Sequence, residues 1–388
     1  MRSRAGLLPV AAVLLTAGCA SLPPPAGDAP TTAMLLEGAP LTGGAPVHPL
    51  PDPGILALDD AMRAFVADRV PARGPDGYRL RELLAGLIYD EAFTVEYADQ
   101  TYTAAEAFRL RRANCLAFTN LFVALAREAG LTVHYQEVDV PPDWSRNGDL
   151  LVQNRHMNAV VDFGNQPEQI VDFNMADFRL NYDRRVISDE RARAHYHSNV
   201  GAERLEAGDA LAAFQNFRQA IALDQSFVPA WINLGTLYQR SGRPDFAEAA
   251  WRHALRLAPG ELVALSNLER LFRSSGRRAE ADELGRRVER HREANPYYRF
   301  EQARQAFAAG DYATAIGHLK FAIRRKANED RFYALLGLAH QRRGELDAAR
   351  RYLAMAAELA GDESLKQAYH SKLELLREGQ ETAGARGS

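Results

Sequence analysis

Five glycines, Gly208, Gly242, Gly276, Gly310 and Gly344, recur at a fixed interval of 34 residues. A period of that length restricts the second half of the chain to a stack of like units. Five residues after each glycine stands an alanine: Ala213, Ala247, Ala281, Ala315 and Ala349. Seven further on come Ala220, Ala254, Val288, Ala322 and Ala356. Two antiparallel helices need a turn between them, and glycine supplies the left-handed conformation that ends the first. The alanines fall where the two helices of a hairpin approach most closely, so a larger side chain there would force them apart.

The unit from Val228 to Glu261 carries Trp231, Leu234, Gly235, Tyr238, Ala247, Trp251, Ala254 and Pro259. In these positions it resembles the tetratricopeptide repeat. The resemblance implies five such repeats over 194–363, a capping helix over 364–378 and a disordered tail over 379–388. The third repeat departs from the pattern, with Glu269 at a normally small position and Gly285 at a normally large one. Stacked repeats of this family form a superhelix whose concave groove receives a peptide or protein partner. Trp231 and Trp251 are read as core residues rather than groove anchors.

The N-terminus reads as a targeting segment. Arg2 and Arg4 precede an apolar stretch, Leu7 to Leu15, that is too short to span a bilayer. The run Leu15-Thr16-Ala17-Gly18-Cys19 resembles the lipobox of bacterial lipoproteins. That resemblance implies a signal peptide over 1–19, lipidation of Cys19 and a membrane anchor. Ala20 rather than Asp after the cysteine points to the periplasmic face of the outer membrane in the cell envelope. Residues 20–54 hold nine of the 19 prolines with little apolar pattern, and are expected to be an extended linker. With Cys19 modified, Cys115 has no disulfide partner, so its thiol is either well buried or kept for its reactivity.

Residues 55–182 carry helical periodicity to about Arg112, then three strand-like runs, "LTVHYQEVDV", "HMNAVVDF" and "QIVDFN". This is an α+β pattern, with 183–193 as a connector to the repeats. Cys115 opens the apolar helix "CLAFTNLFVALAREAGL", where the helix dipole favours a thiolate. Strand alternation puts Met157, Ala159 and Val161 on one face and His156 with Asn158 on the other. With a turn centred on Gly164, His156 lies directly across from Asp172. Such a Cys-His-Asp set performs acyl transfer: the carboxylate orients the imidazole, the imidazole takes the thiol proton, and sulfur attacks an acyl carbon.

In the order of these three residues and in the helix that Cys115 opens, the segment from about Ala104 to Asn174 resembles the transglutaminase-like core, related to papain-type cysteine peptidases. The resemblance implies Cys115 as nucleophile, His156 as base and Asp172 as its orienter. The Cys115 backbone N–H is a candidate oxyanion donor. The sequence departs from the family in Ala113-Asn114 before the cysteine, in the lack of a Trp soon after His156, and in Phe173 after Asp172. His134 and Asp162 are the rival histidine and acid, and Trp144, Arg146 and Asp149 belong to a loop near the site.

The fold expected is thus an α+β transglutaminase-like domain followed by an all-α tetratricopeptide-repeat solenoid. No cofactor is implied. His195 and His197 lack Cys or acidic partners at ligand spacing, so no metal site is expected. A net charge of −3 without a basic patch speaks against nucleic acid. Two readings of function follow: a lipid-anchored thiol enzyme acting on amide bonds of peptides or proteins, or a non-catalytic repeat scaffold. A peptidoglycan-modifying amidase is a third, which no motif demands.

Overall fold

The computed structural model describes residues 29–89, 93–147, 150–173, 182–361 and 363–385; side chains are described for these except 89, 139–147, 150–155 and 376–385. Cys19 and the signal segment lie outside the described residues.

The first described elements correct the expectation of an extended linker. Helices α1 (Thr32–Glu37) and α2 (Ala39–Thr42) lie against the repeats instead. Thr31 caps α1 by accepting from Met34 N, and Leu35 is buried in the core of the repeat region. The Tyr238 hydroxyl donates to Leu35 O at 2.6 Å, and Arg218 donates to Val47 O. At Gly38, which joins the two helices at φ +68°, a Cβ would overlap the Phe214 ring. A short apolar run between a Thr cap and a Gly stop is enough to make a docked turn of helix inside a proline-rich stretch.

The α+β domain begins with α3 (Asp60–Arg69) and α4 (Asp76–Leu84), the latter running into a π-helical turn over Ala85–Tyr89. Strand β1 (Glu96–Tyr97), helix α5 (Ala104–Leu110), strand β2 (Arg112–Ala113) and helix α6 (Cys115–Glu128) follow. A four-stranded antiparallel sheet completes it, built from β3 (Thr132–Asn147), β4 (Leu150–Asp162), β5 (Gln169–Val171) and β6 (Asp183–Ile187) in the order β5-β4-β3-β6. Every residue of α6 from Leu116 to Ala126 is buried, as expected from its lack of a polar face. Leu121, Phe122 and Leu125 share one core with Val133, Tyr135, Met157, Ala159 and Val161 of the sheet. Each large side chain buried there contributes about 1.5–3 kcal/mol of transfer free energy, an upper estimate.

Two boundaries differ from the sequence reading. The segment containing Trp144 and Arg146, read as a loop, belongs to the hairpin: Trp144 pairs with Gln153 and Asn147 with Leu150. The side chains of Trp144 and Arg146, and the whole of Asp149, lie outside the described residues. Part of the expected connector is β6, which pairs with β3 through Tyr135↔Ile187 to Asp139↔Asp183.

Five helical hairpins follow. They are α7 (Asp189–Glu206) with α8 (Ala210–Leu223), α9 (Val228–Arg240) with α10 (Pro244–Leu257), α11 (Leu262–Ser274) with α12 (Arg278–Ala294), α13 (Pro296–Ala308) with α14 (Tyr312–Arg325), and α15 (Asp330–Arg342) with α16 (Leu346–Leu359). All five periodic glycines adopt positive φ, between 71° and 82°, and the five alanines that follow them are fully buried. Helix α17 (Glu363–Ala385) closes the stack and continues through most of the segment expected to be a disordered tail.

Small–large pairing explains how the hairpins close. A Cβ on Gly201 would overlap Phe217, one on Gly235 would overlap Trp251, and one on Gly337 would overlap Leu353. In the third hairpin the sizes are exchanged, with Glu269 facing Gly285, whose Cβ would meet nothing nearer than 4.0 Å. The buried core also divides there, with one apolar cluster ending at Val288 and a separate one beginning at Ala303.

The sheet domain and the repeats are tied by charge. Glu137 of β3 accepts from Arg191 at 2.8 Å and pairs with His195 Nε2 at 2.7 Å, and it also binds Arg185. Arg191 continues to Asp224 at 2.7 Å. Arg127 of α6 grips Asp189 with two hydrogen bonds of 2.6 and 2.8 Å. Farther along, Lys326 reaches Asp183 of β6 at 3.0 Å.

Candidate active site

The local chain path around Cys115 is set by a cap and a strained turn. Arg111 ends α5 in the left-handed conformation, at φ 55°, and its guanidinium lies 3.5 Å over the Phe93 ring. This turn sends the chain into β2, which pairs in parallel with β1. Asn114 then caps α6, its side chain accepting from Ala117 N at 2.8 Å and donating to Thr101 Oγ1 at 2.9 Å. Cys115 is therefore the first helical residue, with its N–H among those that have no partner inside the helix. Its side chain is partly exposed rather than buried.

The helix and the histidine strand are pinned together beside the thiol. The Thr119 hydroxyl lies 2.7 Å from Cys115 O and 3.4 Å from Met157 O. His156 faces Val138 in the last regular pair before a bulge, after which the register resumes at Asp143↔Asn154. A bulge re-aims neighbouring side chains, and this one sits beside the histidine.

The three residues singled out from the sequence are brought together. His156 Nε2 lies 2.6 Å from Asp172 Oδ2, and the ring also makes a side-chain hydrogen bond with Cys115. Because Nε2 faces the carboxylate, Nδ1 is left for the sulfur. Burial pulls the His156 ring toward its neutral form. Its hydrogen bonds to Asp172 and Cys115, and their charges, outweigh this and push its pKa up to about 10. The pair is thus poised as imidazolium beside sulfur, with Asp172 almost wholly buried behind it.

The register that achieves this is not the one expected. The β4–β5 pairs are Ala159↔Val171, Val160↔Ile170 and Val161↔Gln169. Continued by one step, they set Asn158, not His156, across from Asp172. The reason lies in the turn. Asp162 accepts from Gly164 N at 2.7 Å, Gly164 takes φ 70°, and the loop is centred one residue later than Gly164. His156 therefore reaches Asp172 diagonally, on the same sheet face. Asn158 donates through Nδ2 to the same Asp172 Oδ2 at 3.0 Å.

Other parts of the surroundings were not identified from the sequence. Tyr97 of β1 stacks on Phe173, with centroids 6.3 Å apart, and Phe173 packs on Phe118 at 4.8 Å. Partial burial, then the neighbouring Cys115 and Asp99, raise the Tyr97 phenol above its ordinary value. Tyr97 is thus an exposed aromatic close to the thiol, and an isolated Tyr in a short stretch gave no sequence signal. His134 is exposed on β3 opposite Val160, away from this cluster, and Asp162 serves its turn. His195 and His197 pair with Glu137 and Asn216. Among the described residues, no group of three or more His, Cys, Asp or Glu side chains is placed to hold a metal ion, and no helix is long and apolar enough to cross a membrane.

The family described as tetratricopeptide repeat matches residues 228–261, the hairpin of α9 and α10. None of the curated proteins matches the chain. Among solved structures, the chain is similar to Pseudomonas aeruginosa pilF, with 18% identity, 52% of this chain and 91% of that one covered, and a TM-score of 0.27. It is similar to the MamA protein at 20% identity over 43% of this chain and 91% of that one, with a TM-score of 0.25. It is also similar to a chain of the APC/C hetero-tetramer Cut9–Hcn1, at 23% identity over 48% of this chain, with a TM-score of 0.26; here it spans only 37% of the other chain's length.

Proposed function

We propose that this chain is a lipid-anchored cell-envelope protein whose transglutaminase-like α+β domain acts on amide bonds of peptides or proteins, with the tetratricopeptide repeats recruiting a protein partner. One observation carries the catalytic part: the His156 ring is hydrogen-bonded both to Cys115, at the start of α6, and to Asp172, 2.6 Å away. In the proposed reaction His156 holds the proton lost by Cys115, and the sulfur adds to an amide carbonyl. The oxyanion meets the Cys115 N–H at the helix's positive end. The imidazolium then gives its proton to the leaving amine, and an acyl-thioester remains. Water as acceptor completes a hydrolysis, and an amine completes a crosslink.

Alkylation of Cys115 by iodoacetamide tests this reading. The expected result is a reaction rate that holds up into mildly acidic buffer and takes an ordinary thiol profile, with a midpoint near ~8.5, in His156→Ala. A wild-type profile already of the ordinary kind, and indifferent to His156, would end the catalytic proposal. A second reading, a non-catalytic tetratricopeptide adaptor, is favoured by the family match falling within the repeats. Retention of partner co-purification and of cellular phenotype by Cys115→Ala would decide for it.

A further inference from the structure

Asn158 is fully buried in β4, on the same face as His156, and the β4–β5 register continued one step past Ala159↔Val171 sets it across from Asp172. Its Nδ2 donates to Asp172 Oδ2 at 3.0 Å, while its Oδ1 is buried with no hydrogen-bond partner among the described residues. A buried acceptor without a donor is costly, and an apolar side chain of similar size would remove that cost. The amide cannot turn to relieve it, because the flipped form would aim Oδ1 at the carboxylate. The orientation is therefore dictated by Asp172.

We infer that Asn158 is a positioning residue of the thiol site, its amide fixing the Asp172 carboxylate in the orientation that holds His156 against the Cys115 sulfur. The inference rests on the catalytic reading above and adds a fourth member to it. Asp172 Oδ2 receives two donors from the same strand, His156 Nε2 and Asn158 Nδ2, so the amide sets where along the strand the oxygen sits. Among the described residues, Cys115 on α6 faces His156, and Tyr97 on β1, with Asp99 beside it, lies near Cys115.

Removing the amide leaves the Asp172 carboxylate less firmly placed, which loosens its hold on the His156 ring and the ring's hold on the sulfur. The sulfur should then react more slowly in acidic buffer. The test is alkylation of the full chain by iodoacetamide from about pH 4 to about pH 10, read on the Cys115 peptide by mass spectrometry. Asn158→Leu should shift the acid midpoint upward by about one pH unit, or about tenfold in rate on the acidic limb, with an unchanged unfolding midpoint. Asn158→Asp keeps the shape but faces carboxylate with carboxylate; it should shift the midpoint at least as far and decides the matter if the Leu variant does not fold. A profile unchanged in these variants but altered in His156→Ala would overturn the role of Asn158 alone. A profile unchanged in His156→Ala as well would overturn the catalytic reading itself.

Discussion

His156 shows how neighbours rather than intrinsic chemistry set a residue's state. Its folded pKa of about 10 lies above its ordinary value of 6.5, so the contribution of its charged form to stability is fully present below about 6.5. It is lost as the pH rises through about 10. Urea denaturation across that range should show wild type losing stability relative to His156→Gln, and a constant difference would contradict the ion-pair description. The residue types of this cluster were legible because Cys115, His156 and Asp172 each occupy a position with a recognisable local signature: a helix start and the polar faces of two strands. The role of Asn158 was not. It depends on a one-residue choice of turn centre, and both choices leave His156 and Asn158 on the same face, so alternation alone cannot separate them.

At the scale of elements, caps and close approaches carry measurable free energy. Asn114→Ala removes both the α6 cap and the tie to Thr101, and should cost about 1–2 kcal/mol in urea unfolding while also slowing Cys115 alkylation. The hairpins make opposite predictions for two glycines. Gly337→Ala drives a Cβ to within 2.8 Å of Leu353 Cγ and 3.1 Å of the Ala349 carbonyl, and should destabilise by about 1–3 kcal/mol. Gly285→Ala meets open space in the middle of α12 and should stabilise by about 1 kcal/mol through helix propensity. The hairpins were readable because their glycines and alanines answer to local geometry. The long β3–β4 hairpin was missed because the segment from Pro141 read as a loop. Strand β6 was missed because only Val186 and Ile187 in it are apolar, and its pairing is with a strand far away in sequence.

Across the whole molecule, ion pairs join the sheet to the repeats. Burial alone would push the Glu137 carboxyl up, but His195, Arg191 and Arg185 outweigh it and hold it well below the usual carboxylate range. The stability this supplies is present above its ordinary value of 4.5 and is lost as the pH falls toward the depressed folded value. Hydrogen exchange of α7 and β3 should therefore accelerate in acid before that of α9, whose own sequence carries no carboxylate. Equal acceleration would remove Glu137 from that role. The break in apolar packing between α12 and α13 has a mechanical consequence. Repeat arrays unfold as nearest-neighbour chains, so the weakest coupling sets where cooperativity ends. The last two hairpins should melt as a unit of their own, with the bonds from Lys326 to Asp183 and from Arg299 to the Glu293 carbonyl among their restraints. Pulling on the C-terminus would peel them away first and leave the thiol domain with its three adjoining hairpins intact.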